Sequence, residues 1–597
     1  MNGFLRKILA SLIALLLLAV PAAGLINTSF TPVDLVNKAD AIIVATATPD
    51  SESKTLAIKV DRTLKGKPVG VKKIDVSDLL GDEDFSYYFE DFDTIPVVIV
   101  HADLGQAKAD AKTDAIAAVH IGAHWYSLHK TDKGYKLHPD RLDLKAVWDG
   151  GHKPLVQAVQ YVQTARRPHI PTTSGVSWAE IRTLTTLDEK VSSPLVHTTG
   201  RGAELLFPGA RNDWLVTIRS GKATCSKLPT ASVAAARVDI DRDGKDEWIG
   251  TDGVSVYRLA VKGDPPLIKG LSGVIDLLPA TTREGPAAIA VTSEGPKLIA
   301  TADGKTTATD LLEKKLIGVR CIRQADANND GLLDLIIATD KQLLVAAGSR
   351  TGRFAAPAKA ADIYEIGLNS VSVGDFDGDG NLDLLLTGTA DYGMVLLAGD
   401  GKGAFAHVLE ESGELAYHGE GSMQNSGLCD INSDGLVDLY LLPTSGPPRM
   451  MFNRGFRSFG SARSLDLGSS KLKGADALVS GKVTAGAVLD VNDDGAQDLL
   501  CVVDGKLQAV LRKPLPSDLG AVFHVKQGVA GPIRVEAAEN KRLLTSRMVA
   551  PGEPAFIGKS VRGPLEVTIT QPGGTKTTKR VIVLKVTGVE LPPADGK

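Results

Sequence analysis

The stretch Asp375 to Gly388 reads DFDGDGNLDLLLTG. Oxygen-bearing side chains occupy positions 1, 3, 5 and 9 of its first nine residues, glycine occupies position 6, and an apolar run follows. Alternate residues of a tight loop can aim their side chains at one centre, and glycine at position 6 permits the chain to reverse. The pattern returns as DIDRDGKDE (Asp239 to Glu247), DANNDGLLD (Asp326 to Asp334), DINSDGLVD (Asp430 to Asp438) and DVNDDGAQD (Asp490 to Asp498). Five copies, each set between apolar runs, describe one repeated architecture.

The position-6 glycines act as a ruler. Gly244, Gly331, Gly380, Gly435 and Gly495 follow one another at intervals of 87, 49, 55 and 60 residues. The first interval is about two units long and predicts a silent copy. TTREGPAAIAV (Thr281 to Val291) supplies it when Gly285 is set on Gly331, with Ala280, Thr282, Glu284 and Ala288 at the ligand positions. A second silent copy, GRGAELLF (Gly200 to Phe207), precedes the first acidic one when Gly202 is the ruler, with Glu204 one place early. The seven glycines are then spaced 42, 41, 46, 49, 55 and 60. Each unit carries short β runs, such as NSVSVGD, LDLLLTG and MVLLAGD, and closes on a glycine-rich turn ending in an aromatic, as in GKGAF, GSRTGRF (Gly348 to Phe354) and NRGFRSF (Asn453 to Phe459). Four strands repeated seven times predict an all-β fold built on a seven-bladed β-propeller over 177–515, because a single blade buries its faces only against neighbours.

The flanks lie outside this period. The N-terminus reads MNGFLRK, then ILASLIALLLLAV (Ile8 to Val20), then PAAG. That is the order of a secretory signal peptide over 1–24, too short for a membrane span, with cleavage after Ala22 or Gly24. Residues 25–165 predict a β-rich (α+β) domain with one helix, KPLVQAVQYVQTARR, whose apolar positions recur at three and four. A polar, proline-containing linker (166–176) follows. GPIRVEAAE, PLEVTITQ and KRVIVLKVTGV predict a small C-terminal β-sandwich over 516–592, with a frayed tail at 593–597. The expected location is secreted, periplasmic or cell-surface, with no membrane span after cleavage.

Among 597 residues, 67 are Lys or Arg and 71 are Asp or Glu, for a net charge of −4. That balance argues against a nucleic-acid partner. Three to five carboxylates within nine residues repel one another unless a cation lies among them. Calcium takes about six to eight oxygen ligands, and such a loop supplies most of them. In the third loop the ligands are Asp375, Asp377, Asp379, the backbone of Asn381, and Asp383. The others assign Asp239, Asp241, Asp243, the Lys245 backbone and Glu247; Asp326, Asn328, Asp330, the Leu332 backbone and Asp334; Asp430, Asn432, Asp434, the Leu436 backbone and Asp438; and Asp490, Asn492, Asp494, the Ala496 backbone and Asp498. The sum is about five Ca2+ sites. An EF-hand begins in the same way but needs a bidentate Glu at position 12. Position 12 is Gly250, Ile337, Leu386, Leu441 and Cys501, so that motif is excluded.

On these residues, about 190–515 resembles the FG-GAP/VCBS repeats of integrin α subunits and many secreted bacterial proteins. The resemblance implies that each loop joins two strands of a blade and holds calcium at one face of the propeller. LEVTITQPGGTKTTKRVIVLKV is similar to the ASPIC/UnbV segment, with QPGG in place of a Trp-Pro-x-Gly turn, and carries no functional residues over.

His120, His124 and Tyr126 share one face if AVHIGAHWYSLH is a single strand, which would suit a transition metal. DEDFSYYFEDFD (Asp82 to Asp93) has the composition of a sugar-binding loop but reads first as an exposed one. Cys225, Cys321, Cys429 and Cys501 are far apart and predict free thiols. No GxSxG, HExxH, CxxC or P-loop occurs. The expected function is an adhesion or ligand-binding module for an extracellular or cell-surface protein or polysaccharide, with structural calcium and no catalytic residues. The competing class is a secreted polysaccharide-degrading enzyme, a lyase or glycosidase, on the same scaffold.

Overall fold

A computed structural model describes residues 32–67, 70–81, 83–101, 115–121, 124–138, 148, 151–165, 176–187, 191–192, 194–199, 202–259, 264–282, 284–363, 366–390, 393–407, 422–453, 455–456, 463–464, 472, 475–515, 518–525, 531–539, 541–551, 553–559 and 562–591. The expected signal peptide, linker and tail lie almost wholly outside them. The chain is all-β and falls into two compact units, residues 1–174 and 175–597. No described helix is long and apolar enough to cross a membrane.

The first unit contains a closed seven-stranded barrel, in the region expected to form a β-rich (α+β) domain. Around it run Ala41–Asp50, Thr55–Lys65, Lys73–Asp75, Gly134–His138, His124–Thr131, Ala115–Ile121 and Ile95–His101, which pairs again with the first strand. One junction is parallel, Ile74 opposite Tyr135. Every second residue points inward, so Ile43, Ala45, Val97, Ile99 and Val119 share the core with Tyr126 and Leu128. The aromatic-acidic stretch is helical over Glu83–Asp91, not a loop. Phe85 and Phe89, four apart on one helix face, enter the barrel core, and the Phe85 ring lies 5.6 Å from that of Tyr126. Burial of two rings outweighs the acids around them. Three helices are described in this unit where one was expected, over Pro32–Lys38, Glu83–Asp91 and His152–Thr164. The last overlaps the stretch read as helical, 153–167, starting one residue before it and ending three before its end.

The three histidine-region residues do not share a face. AVHIGAHWYSLH folds back on itself as two strands, with His120 opposite Trp125 and Val119 opposite Tyr126. The turn reverses the alternation, so Tyr126 faces the barrel core while His120 packs its ring 4.8 Å from Trp125 on the other side.

In the second unit, seven sheets lie along the chain, over 195–227, 234–258, 274–310, 319–362, 368–407, 423–464 and 483–512, each an antiparallel meander of three or four strands. Successive sheets share cores: Ala236 and Ile249 of the second pack with Leu277 and Ala290 of the third, and Phe376 and Leu385 of the fifth with Leu439 and Met451 of the sixth. Leu205 and Val216 of the first sheet pack with Leu500 and Leu507 of the seventh, so the series closes on itself. The closure is covalently early and spatially late. Trp178–Thr186, which precedes the first sheet in sequence, is the outer strand of the seventh, pairing along Lys506–Arg512 from Thr186↔Lys506 to Trp178↔Arg512.

The C-terminal segment forms two sheets over one core that includes Ala521, Phe523, Val535, Val567 and Ile569. One of them is continuous with the fifth sheet, where Gly374 pairs with Arg547, so an eight-stranded sheet runs through both. The four cysteines are free; Cys321, Cys429 and Cys501 are buried and Cys225 is half-buried.

Candidate metal centres

Each acidic loop connects the first strand of its sheet to the second. The pairs Val238↔Glu247, Ala325↔Asp334, Gly374↔Asp383, Cys429↔Asp438 and Leu489↔Asp498 close the loops, so position 9 is the first residue of the second strand. In the two silent sheets the corresponding closures are Thr199↔Gly202 and Thr282↔Gly285, tight hairpins with two residues between the pair. Gly202 and Gly285 therefore stand in the place of position 9, not of position 6 as the ruler had them. These sheets lack the length of the loop, not only its acids.

One frame of hydrogen bonds recurs. The N–H of position 6 donates to the position-1 carboxylate: Gly244 to Asp239 at 3.0 Å, Gly331 to Asp326 at 3.1 Å, Gly380 to Asp375 at 3.0 Å, Gly435 to Asp430 at 3.0 Å and Gly495 to Asp490 at 2.8 Å. The N–H of position 5 donates to the side-chain oxygen at position 3, as from Asp330 to Asn328 at 2.9 Å, Asp434 to Asn432 at 3.2 Å and Asp494 to Asn492 at 3.2 Å. The N–H of position 7 donates to position 5: Lys245 to Asp243, Leu332 to Asp330, Asn381 to Asp379, Leu436 to Asp434 and Ala496 to Asp494, all at 2.7–2.9 Å. Glycine at 6 has φ between 85° and 92°, and position 4 is also left-handed, at Arg242, Asn329, Gly378, Ser433 and Asp493. Sequence reading missed that second reversal. Its signal is weak, because Asn, Asp and Gly tolerate positive φ but Arg242 does not advertise it.

Position 9 has a second task that sequence reading also missed. One oxygen accepts the position-2 N–H, from Ile240, Ala327, Phe376, Ile431 and Val491. In the last four loops the other accepts an N–H at the end of the third strand, from Gly348, Gly399, Asn453 and Arg512, each at 2.8–2.9 Å. The acid thus pins three segments of the sheet. Asp383→Ala is expected to cost about 2–4 kcal/mol of stability in urea unfolding, since each orphaned buried donor costs about 1–3 kcal/mol. A loss within about 0.5 kcal/mol, the usual range of a surface substitution, would contradict this pinning.

The carboxylates crowd one another, and several are buried. Among the described residues, oxygens of Asp239, Asp241, Asp243 and Glu247 lie within 4.8 Å of one another, as do those of Asp375, Asp377 and Asp383. Asp379 stands outside the second group and accepts from the Asn381 amide. Burial, with Asp241 and the neighbouring acids, pushes Glu247 up to about 7. Burial likewise raises Asp498 to about 7, and Asp334 and Asp430 to about 6. It drives Asp375, Asp434 and Asp438 well above the carboxylate range, with neighbouring acids adding to the effect. Among the described residues, ion pairs reach two of these loops: Arg258 pairs with Asp241 at 2.8 Å and Arg534 with Asp326 at 3.3 Å. Oδ1 of Asp239 and Oδ1 of Asp326 are buried without a hydrogen-bond partner. All the side-chain donors are hard oxygens, with neither His nor Cys among them. The set fits calcium and does not suit zinc or copper.

The sheets and their loops define an all-β protein of repeated acidic-loop units. Within it, residues 326–386, which contain the second and third loops, match the FG-GAP-like repeat family. No curated protein matches the chain. One similar solved structure is a lectin of Agrocybe aegerita described for its recognition of non-reducing terminal N-acetylglucosamine. It is 18% identical, with a TM-score of 0.36 over 52% of this chain and 90% of that one, a likeness too slight to bear on fold or ligand.

Proposed function

We propose that the seven sheets are the blades of a β-propeller, that the five acidic loops hold structural calcium, and that the exported protein binds a cell-surface or extracellular protein or polysaccharide. The observation that carries the calcium reading is the pair of buried, unpartnered Oδ1 atoms of Asp239 and Asp326, each at position 1 of a loop of oxygen donors. In these two loops position 1 takes the position-6 N–H on Oδ2, leaving the other oxygen for a cation. The closed series of sheets supports the propeller, since the first and seventh share a core and Trp178–Thr186 completes the last blade. In that fold the loops between blades make a broad recognition surface, which suits a binding module and does not itself imply catalysis.

Calcium would supply positive charge among the acids when bound. The chain's own residues then set each loop, with positions 3 and 5 oriented by their backbone bonds and, in the last four, position 9 tied to the end of the third strand. Binding to a glycan array and capture from surface extracts, each repeated after calcium removal, test the module. Selective, calcium-dependent binding without turnover is the expected result. Release of reducing ends or unsaturated products from any polysaccharide would replace the module with the enzyme.

A further inference from the structure

The C-terminal two-sheet domain is seated directly on the acidic loops. Arg534, buried in the strand Ile533–Glu539, bridges two of them: its guanidinium donates to Asp326 Oδ2 and, at 2.6 Å, to Asn329 Oδ1 of the second loop, and to the carbonyl oxygen of Gly380 in the third. Ser546 holds that guanidinium through its hydroxyl at 2.8 Å, and its carbonyl accepts the N–H of Asp375 at 3.0 Å. The N–H of Gly558 donates at 2.6 Å to Asp430 Oδ2, the oxygen that also takes the Gly435 N–H. Leu332 forms a β-bridge with Gly573. The glycines at position 6 are what allow this approach. A Cβ on Gly331 would lie 2.9 Å from Gly574 Cα, and one on Gly435 would lie 2.8 Å from the Gly558 carbonyl oxygen. By contrast, Gly244 of the first loop is exposed, and a Cβ there would meet nothing within 4 Å.

We propose that the C-terminal domain is a cation-dependent cap: calcium in the second, third and fourth loops fixes the oxygens onto which it docks, and docking in turn tightens calcium at those loops but not at the first. The proposal rests on the calcium reading. Its physical basis is charge and shape together. The second and third loops carry seven acidic ligand side chains in all, so two divalent ions leave them net negative, and Arg534 still complements them. Without the ions, repulsion spreads the carboxylates and displaces Asn329, Gly380 and Asp430, the groups that Arg534 and Gly558 need. Arg534 is a positioning residue, acting on Asp326 through the oxygen that its own loop also holds.

Hydrogen exchange of the full chain, followed by mass spectrometry across a calcium titration, tests the linkage. In the wild type, calcium is expected to slow exchange in Ile533–Glu539 and Arg542–Val549 about tenfold, together with loops 326–334, 375–383 and 430–438. Gly558→Ala alters no ligand but sets a Cβ 2.5 Å from Ser433 Cα. Arg534→Gln removes the bridging charge with less steric effect. Both should move the calcium midpoint of the three covered loops about tenfold higher and leave that of 239–247 unchanged, which also certifies that the variants fold. Protection of the loops without protection of Ile533–Glu539 and Arg542–Val549 would overturn the cap and leave calcium standing. Equal shifts in all four loops would overturn the selective linkage. No response to calcium in any loop would overturn both readings.

Discussion

Removing calcium with excess EDTA is expected to lower the melting temperature of the second unit by about 10–15 °C. A ligand that binds only the folded state at one hundred times its dissociation constant adds about 2.7 kcal/mol per site. Five such sites give roughly 13 kcal/mol. For a unit of residues 175–597, the usual unfolding entropy per residue converts about 1 kcal/mol into about 1 °C. The sequence of residues 1–174 carries no copy of the acidic repeat, so the transition of the first unit should stay in place and serve as the internal reference. Differential scanning calorimetry with and without EDTA measures both. An unchanged transition of the second unit would remove calcium from the account of this fold.

The second large effect is an inversion of pH dependence. Glu247 and Asp498 stand near pH 7 in the folded, cation-free chain, and Asp334 and Asp430 near pH 6, against ordinary values of 4.5 for Glu and 3.8 for Asp. Between about pH 4 and 7 the folded state therefore binds more protons than the unfolded one, and stability falls as pH rises through that window. The penalty is absent below the unfolded values and complete above the folded ones. Calcium-free protein should melt about 5 °C higher at pH 5 than at pH 7.5, after discounting the partly exposed Glu247. Calcium competes with those protons, so the calcium-loaded protein should melt higher at pH 7.5 than at pH 5. Thermal melts at two pH values, with and without calcium, form the test. Parallel curves would mean that these carboxylates feel neither one another nor the ion.

Much of this architecture is legible locally. Oxygen ligands at 1, 3, 5 and 9 with glycine at 6 mark the loops, because ligand convergence and chain reversal are demands on nine consecutive residues. The apolar runs on either side mark the strands that the loops join. What escapes is non-local. Nothing in WAEIRTLTT (Trp178 to Thr186) announces that its partner is Lys506–Arg512. Nothing in Arg534 announces two acidic loops earlier in the chain. The barrel escaped because its strands close through one parallel pairing, Ile74 with Tyr135, which alternation of apolar residues does not encode. The silent units were found in the right order but misregistered, since a two-residue hairpin and an eight-residue loop can both end near a glycine. DEDFSYYFEDFD misled because its acids outnumber the aromatic residues it buries.

The outer strand of the seventh sheet has a consequence for biosynthesis. At about 5–20 residues per second, Trp178–Thr186 emerges tens of seconds before Lys506–Arg512 exists to receive it. Over that interval it is an unpaired strand in a chain whose other sheets are already forming from local meanders. Its composition limits the hazard: Glu180, exposed, and Arg182, half-buried in the folded chain, are charged and paired with each other at 2.9 Å, which discourages pairing with a second nascent chain. The final step of folding is thus the capture of an early segment by a late one. A ribosome that stalls between residues 464 and 506 leaves six meanders built and Trp178–Thr186 without its partner strand, a state that quality control can distinguish from the finished molecule.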